Sequence, residues 1–80
     1  MRIKILYFAS ARDIVGKRGE MLSSDARTVN ELADRLRRLH PGLKSLDKAT
    51  RYAVNLEIVD GGAVLHEGDE VGVIPAVTGG

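Results

Sequence analysis

The sequence predicts an α+β domain in which a mixed sheet packs against one main helix. Two observations indicate this class: apolar, strand-like runs lie towards both ends of the chain, and one amphipathic helix lies between them. A helix with a single apolar stripe must bury that stripe against another element, and these strands supply the sheet that covers it. The first and last strands are the most apolar, so we expect them at the sheet centre. They are expected to run parallel, because a helical crossover lies between them.

The first strand is predicted over residues 2–8, where β-branched and aromatic residues dominate and no breaker occurs. Side chains alternate between the two faces of a strand, which places Ile3, Ile5 and Tyr7 on the core face. Phe8 falls on the opposite face and is expected to be exposed.

A short second strand is predicted over residues 20–23. A connection with a helical turn at residues 11–15 separates it from the first strand. We expect the two strands to form a hairpin with a long loop.

The main helix is predicted to begin after Thr28. Thr28 and Glu31 form a capping box, in which the Thr28 hydroxyl accepts a hydrogen bond from the Glu31 amide. Apolar residues at helical spacing then form one stripe: Val29, Leu32, Ala33, Leu36 and Leu39. The helix is expected to end at residues 40–42, because Pro41 disfavours helical geometry before it and the glycine that follows is free to turn.

The C-terminal half predicts strands over residues 52–59, 63–65 and 70–74, separated by glycine-containing turns. Two strands, a helix and further strands, with the first and last side by side, are the ubiquitin-like β-grasp arrangement. We expect residues 1–75 to form this domain. Residues 76–80 are expected to form a flexible C-terminal Gly-Gly tail.

Composition excludes several classes of function. The chain has 80 residues, which allows one domain with a modest core. A net charge of +1 gives no field that favours nucleic acid or anionic lipid as a partner. The absence of cysteine excludes disulfides, thiolate nucleophiles and Cys-ligated zinc. No apolar run approaches the roughly 20 residues that a bilayer requires, and no signal-peptide pattern occurs, so we expect a cytoplasmic protein without membrane contact.

No constellation of catalytic side chains emerges from the sequence. His40 and His66 are far apart and lack a partner at the spacing of a metal site, so we expect surface or structural roles and no metal. The carboxylates near glycines, such as Asp60 and Asp69, are residues that turns favour. Whether the chain takes part in catalysis therefore stays open at this point.

The last residues offer a reacting group of a different kind, the terminal carboxylate of Gly80. Gly79 and Gly80 lack side chains and can thread a narrow channel. Val77 and Thr78 favour an extended backbone, and Pro75 marks where the last strand stops pairing. The alternative is an inert, frayed end.

A docking surface is needed if the tail is ordered in a partner, because ordering costs ~1–2 kcal/mol per residue. Strand alternation predicts that Phe8, Ile58 and Ile74 form an exposed apolar patch at the base of the tail. Burying such side chains contributes ~1.5–3 kcal/mol each, which offsets most of that cost. The candidates for the rim of the patch are Arg2, Lys4 and Arg51.

Four groups of residues follow the pattern of one family in order and spacing over the whole chain. They are Ile5-Leu6-Tyr7-Phe8-Ala9 with Arg12-Asp13, Thr28-Val29-x-Glu31-Leu32, Ala53-Val54-Asn55, and Leu65-x-x-Gly68-Asp69-Glu70-Val71 through Pro75 to Gly79-Gly80. With these the chain resembles the small, sulfur-carrying subunit of molybdopterin synthase. The family commonly has two prolines before the valine of the tail, whereas this chain has Ala76 in place of the second.

The resemblance implies that an ATP-dependent, E1-like enzyme adenylates Gly80, and that a sulfur donor then converts it to a thiocarboxylate. The tail would enter the active site of the large synthase subunit and give sulfur to cyclic pyranopterin monophosphate. The implied assembly is a heterotetramer, and the chain itself binds no cofactor. The alternatives are a related carrier for thiamine, tRNA thiolation or cysteine synthesis, a ubiquitin-like modifier of protein lysines, and an inert β-grasp interaction module.

Overall fold

The computed structural model describes residues 1–76, apart from the side chains of residues 47–49. In chain order the elements are β1 (Arg2–Tyr7), α1 (Ala9–Val15), β2 (Gly19–Ser23), α2 (Val29–Leu39), a 3₁₀ helix (Pro41–Ala49), β3 (Thr50–Val54), β4 (Glu57–Val59) and β5 (Glu70–Pro75). The strands form one sheet in the order β2-β1-β5-β3-β4. β1 and β5 pair in parallel, and the other neighbours pair antiparallel. The predicted mixed sheet with parallel first and last strands at its centre is confirmed.

The core lies between the sheet and α2. Ile3 and Ile5 of β1 are fully buried and Tyr7 nearly so, as the alternation predicted. On the neighbouring strand β5, Val71 and Val73 point to the same side and are buried with them. The hairpin of β1 and β2 also forms as expected.

The stripe on α2 is confirmed except at its last position. Val29, Leu32, Ala33 and Leu36 are buried, whereas Leu39 is 44% exposed. Successive residues of a helix turn by about 100°, so position 39 lies about 60° away from Leu36 around the axis. His40 lies closer to the line of the stripe than Leu39 does. Its Nε2 lies 2.7 Å from a carboxylate oxygen of Glu20 on β2.

The Thr28 half of the capping box at the start of α2 is present, and Glu31 reaches one residue beyond the cap. The Thr28 hydroxyl accepts from the backbone N–H of Glu31 over 3.3 Å. The Glu31 carboxylate reaches back to the backbone N–H of Arg27, also over 3.3 Å. At the other end, His40 donates its backbone N–H to the Leu36 carbonyl, and Pro41 begins the 3₁₀ helix.

The prediction of one strand over residues 52–59 is wrong. The segment is a hairpin in which Val54 of β3 pairs with Glu57 of β4, so that Asn55 and Leu56 alone form the turn. Both turn residues have positive φ, 50° and 72°. Two successive residues of this kind define a type I′ turn, which matches the twist of the strands that it joins.

The strand predicted over residues 63–65 is reduced to one isolated bridge between Val64 and Thr28. Leu65 packs into the core, with 3% of its surface exposed. The final strand ends at Pro75, one residue later than predicted.

Within residues 1–76, no helix has both the length and the apolar character needed to cross a membrane.

Candidate docking face and C-terminal arm

The sheet has one face covered by α2 and one face that is open. Because side chains alternate along a strand, the residues between the buried positions point to the open face. On β1 these are Lys4 and Leu6, and on β5 they are Glu70, Gly72 and Ile74, which the parallel register places side by side. We call this surface the outer face.

Phe8, Ile58 and Ile74 lie together on the outer face, as the sequence predicted. All three line a shallow depression of about 180 Å³. Phe8 is 40% exposed and Ile58 57% exposed, while Ile74 is half-buried. The floor of the depression includes Gly72, where an added Cβ would lie 3.1 Å from the Phe8 ring. The missing side chain at this position therefore makes room for the ring.

The turn between β3 and β4 explains how Ile58 reaches this face. In one uninterrupted strand Ile58 would share the face of Tyr52 and Val54, which pack against the core. The two-residue turn changes the register and pairs Ile58 with Ala53, another residue lining the depression.

Sequence reasoning missed Leu56 as a member of this surface. Leu56 lines the same depression and is 90% exposed, more than any other large apolar residue of the described chain. The sequence carries one signal for it, an Asn inside a strand-like run, because Asn is favoured in two-residue turns.

Charged residues border the apolar patch. Lys4 and Glu70 stand beside each other on the central strands, with 3.8 Å between the Lys4 Nζ and a Glu70 carboxylate oxygen. Arg51 is exposed and pairs in register with Ile74. Arg2, the third predicted rim residue, is exposed at the start of β1, and its backbone N–H donates to the Glu67 carboxylate.

The predicted arm begins at the end of β5. Pro75 is buried and pairs with Thr50, and Ala76 is exposed. The predicted site residues Val77, Thr78, Gly79 and Gly80 lie outside the described residues. The chain leaves the sheet directly after Ile74 and Pro75, so the apolar patch lies at the base of the arm.

The core-side cluster of Tyr7, Glu20 and His40 contains the most strongly perturbed titratable groups. The Tyr7 hydroxyl donates to Glu20 Oε2 over 2.5 Å, and His40 Nε2 lies 2.7 Å from the same oxygen. Lys17 donates to the other carboxylate oxygen over 3.1 Å. Burial and the Glu20 carboxylate raise the pKa of Tyr7.

Burial acts to raise the pKa of Glu20, but the hydrogen bonds from Tyr7, His40 and Lys17 outweigh it and lower that pKa to about 2. Every partner of this carboxylate is accounted for within the fold, on β1, on α2's C-terminal cap and on the loop before β2. The cluster therefore ties elements together, and of the surface or structural roles expected for His40 the structure shows the structural one. His66 is exposed in a turn.

Among the residues described here, no three His, Asp or Glu side chains lie close enough to hold a metal ion.

A ubiquitin-like β-grasp domain with an apolar patch beside the end of its last strand, followed in the sequence by Gly79-Gly80, is typical of a class of small carrier and modifier proteins. Residues 5–80 match the ThiS family, and the chain belongs to that family. It is 35% identical to the molybdopterin synthase sulfur carrier subunit of Chlamydomonas reinhardtii, with 100% of both chains covered.

Two solved structures extend the comparison. SAMP1 from Haloferax volcanii is 27% identical and superposes with a TM-score of 0.86, covering 100% of both chains. A chain of the BexX/CysO complex from Amycolatopsis orientalis is 25% identical with a TM-score of 0.73, covering 98% of this chain and 99% of that one. A protein similar to this chain is thus known in complex with a protein partner.

Proposed function

We propose that this chain is the sulfur carrier subunit of a molybdopterin synthase. Its C-terminal Gly80 is adenylated, converted to a thiocarboxylate, and donates sulfur to cyclic pyranopterin monophosphate in molybdenum cofactor biosynthesis. The observation that carries a carrier function is the exposed patch of Phe8, Ile58 and Ile74 at the base of an arm that ends in Gly79-Gly80. The name of the similar Chlamydomonas reinhardtii protein supports the choice of this carrier among related ones.

The chemistry requires activation, because a carboxylate is a poor electrophile. A Gly80 carboxylate oxygen attacks the α-phosphorus of ATP and releases pyrophosphate. A sulfur nucleophile then attacks the acyl carbon of the adenylate and displaces AMP, which leaves a thiocarboxylate. The chain contains no cysteine to act as that nucleophile. The proposal therefore assigns these steps to an E1-like adenylating enzyme and a sulfur donor, with ATP as the enzyme's substrate.

The final transfer takes place in the large synthase subunit. Phe8, Ile58 and Ile74 dock against partners. Pro75 holds the base of the tail on the sheet, and the tail beyond it, with Val77 and Thr78, threads the active-site channel. Within the synthase complex, this chain gives up the sulfur of its thiocarboxylate and supplies no catalytic side chain. Because the activation consumes ATP, we place the reaction in the cytoplasm.

A second candidate is a ubiquitin-like modifier that is conjugated to protein lysines. The similarity to SAMP1, described as a small archaeal modifier protein, favours it. Both functions begin with the same adenylate and differ in the acceptor, which is an amine in one and a sulfur nucleophile in the other. Carriers for thiamine, tRNA thiolation or cysteine synthesis differ only in the final sulfur acceptor.

Deletion of Gly80 tests the function most simply. The full chain and the truncated chain are each combined with the adenylating enzyme, ATP, a sulfide source, the large subunit and the pterin precursor. The truncated chain is expected to fold with an unchanged thermal midpoint and to form no molybdopterin, because its terminus no longer reaches the reacting position.

A Val64→Ala variant, which alters an exposed apolar residue and leaves the tail intact, serves as the matched control and should transfer sulfur normally. Molybdopterin formation by the truncated chain would exclude Gly80 as the sulfur-bearing residue. If the full chain forms lysine-linked conjugates and no molybdopterin, the result would instead support the modifier.

A further inference from the structure

The turn that joins β3 and β4 contains two residues of very different character. Asn55 has a clear structural task, since its side-chain amide donates to Asp69 over 2.9 Å and its carbonyl accepts from the backbone N–H of Glu70 over 3.0 Å. Asn also tolerates the left-handed region better than most residues. Its positive φ therefore needs no further explanation.

Leu56 lacks such an explanation. Its φ of 72° lies in the left-handed region, which is unfavourable for a bulky side chain and which this turn type normally gives to glycine. Its side chain is 90% exposed, so it gains little from packing within the chain. A strained backbone that presents an apolar side chain to solvent serves something other than the stability of the fold, and such strain occurs at binding surfaces.

The location of Leu56 suggests what it serves. It lines the same depression as Phe8, Ile58 and Ile74, so it is continuous with the proposed docking patch. The hairpin register puts it beyond Val54 and Val71, at the opposite end of β5 from Pro75. Val71 and Pro75 are about 13 Å apart, because a strand rises about 3.3 Å per residue.

The charges around this end of the outer face are balanced. Glu70 lines the depression beside Leu56, and Lys4 lies 3.8 Å from its carboxylate. Glu57 pairs in register with Val54 and therefore points to the α2 side of the sheet. At the arm end, by contrast, the exposed charge beside Ile74 is Arg51. The Leu56 end of the face therefore offers an apolar contact without a net charge.

We propose that Leu56 is an anchor for the large synthase subunit and inserts into an apolar pocket of that subunit. The proposal rests on the proposed function and extends the docking face from the base of the arm to the far end of the sheet. Contacts at both ends fix the direction in which the carrier docks, and thus the direction in which its arm points. Large apolar anchors that fill a partner's pocket commonly dominate such interfaces.

The test measures the dissociation constant of the full chain and the large subunit by titration calorimetry, together with the thermal midpoint of each variant. Leu56→Gly is expected to weaken binding by about tenfold or more, the loss that corresponds to an unburied Leu side chain. Its thermal midpoint should stay the same or rise, because glycine suits the turn.

Ile74→Glu and Val64→Ala serve as the positive and negative controls. If Ile74→Glu weakens binding while Leu56→Gly stays within about twofold of the unmodified chain, Leu56 is not an anchor and the proposed function still stands. A clear fall in the thermal midpoint of Leu56→Gly would also overturn the inference, since Leu56 would then stabilise the fold. Failure of the unmodified chain to bind the large subunit would overturn both proposals.

Discussion

Glu20 shows how one residue can organise the interior of so small a domain. Its carboxylate collects hydrogen bonds from Tyr7, His40 and Lys17, which come from three separate parts of the chain. The Tyr7 and His40 rings also meet edge to face, with 5.7 Å between centroids. The sequence left a surface or a structural role open for His40 and did not predict its partners. Nothing in the residue pattern shows that Glu20 of β2 and the C-terminal end of α2 both approach the Tyr7 ring of β1.

The low pKa of Glu20 predicts how stability depends on pH. The folded-state pKa of about 2 lies below the ordinary value of 4.5, so the ionised carboxylate stabilises the fold above pH 4.5. This contribution declines below pH 4.5 and is lost as the pH falls through about 2. The measurement is the free energy of unfolding in urea between pH 6 and pH 2, for the unmodified chain and for Glu20→Gln.

The two free energies are expected to differ most near pH 6 and to converge towards pH 2. Tyr7→Phe, which removes one of the hydrogen bonds, should show a weaker pH dependence than the unmodified chain. A difference that stays constant from pH 6 to pH 2 would contradict the account of Glu20.

The elements were predictable where local chemistry decides them. β1, α2 and β5 have strong periodicity or a capping box, and the structure has them within one or two residues of the predicted bounds. The hairpin of β3 and β4 was not predictable in the same way. Its turn lacks the glycine that usually marks a type I′ turn, and Leu56 made the segment look like one continuous strand.

Thr28 offers a test at the scale of one element. Thr28→Ala removes the hydroxyl that accepts from the Glu31 amide at the start of α2. The free energy of unfolding is expected to fall by about 1 kcal/mol, because a backbone donor at the helix start loses its partner. Thr28→Ser, which keeps the hydroxyl, is the matched control and should lose much less. Equal losses in the two variants would mean that the methyl group, and not the cap, stabilises this end.

In the whole molecule, the two faces of the sheet have different roles. One face and α2 bury Ile3, Ile5 and Val71, while the other carries the apolar patch next to the start of the arm. Strand alternation predicted this division, including the positions of Phe8 and Ile74. It did not predict how far the outer face extends, because the turn at Leu56 depends on strand pairing and not on local pattern.

The central claim is that the chain carries sulfur on its own C-terminal carbon. The most direct measurement is the intact mass of the full chain after incubation with the adenylating enzyme, ATP and a sulfide source. The account predicts a mass increase equal to the difference between one sulfur and one oxygen, localised to Gly80 by fragmentation, and reversed after incubation with the large subunit and the pterin precursor. An unchanged mass under conditions in which the enzyme consumes ATP, or sulfur located elsewhere in the chain, would contradict it.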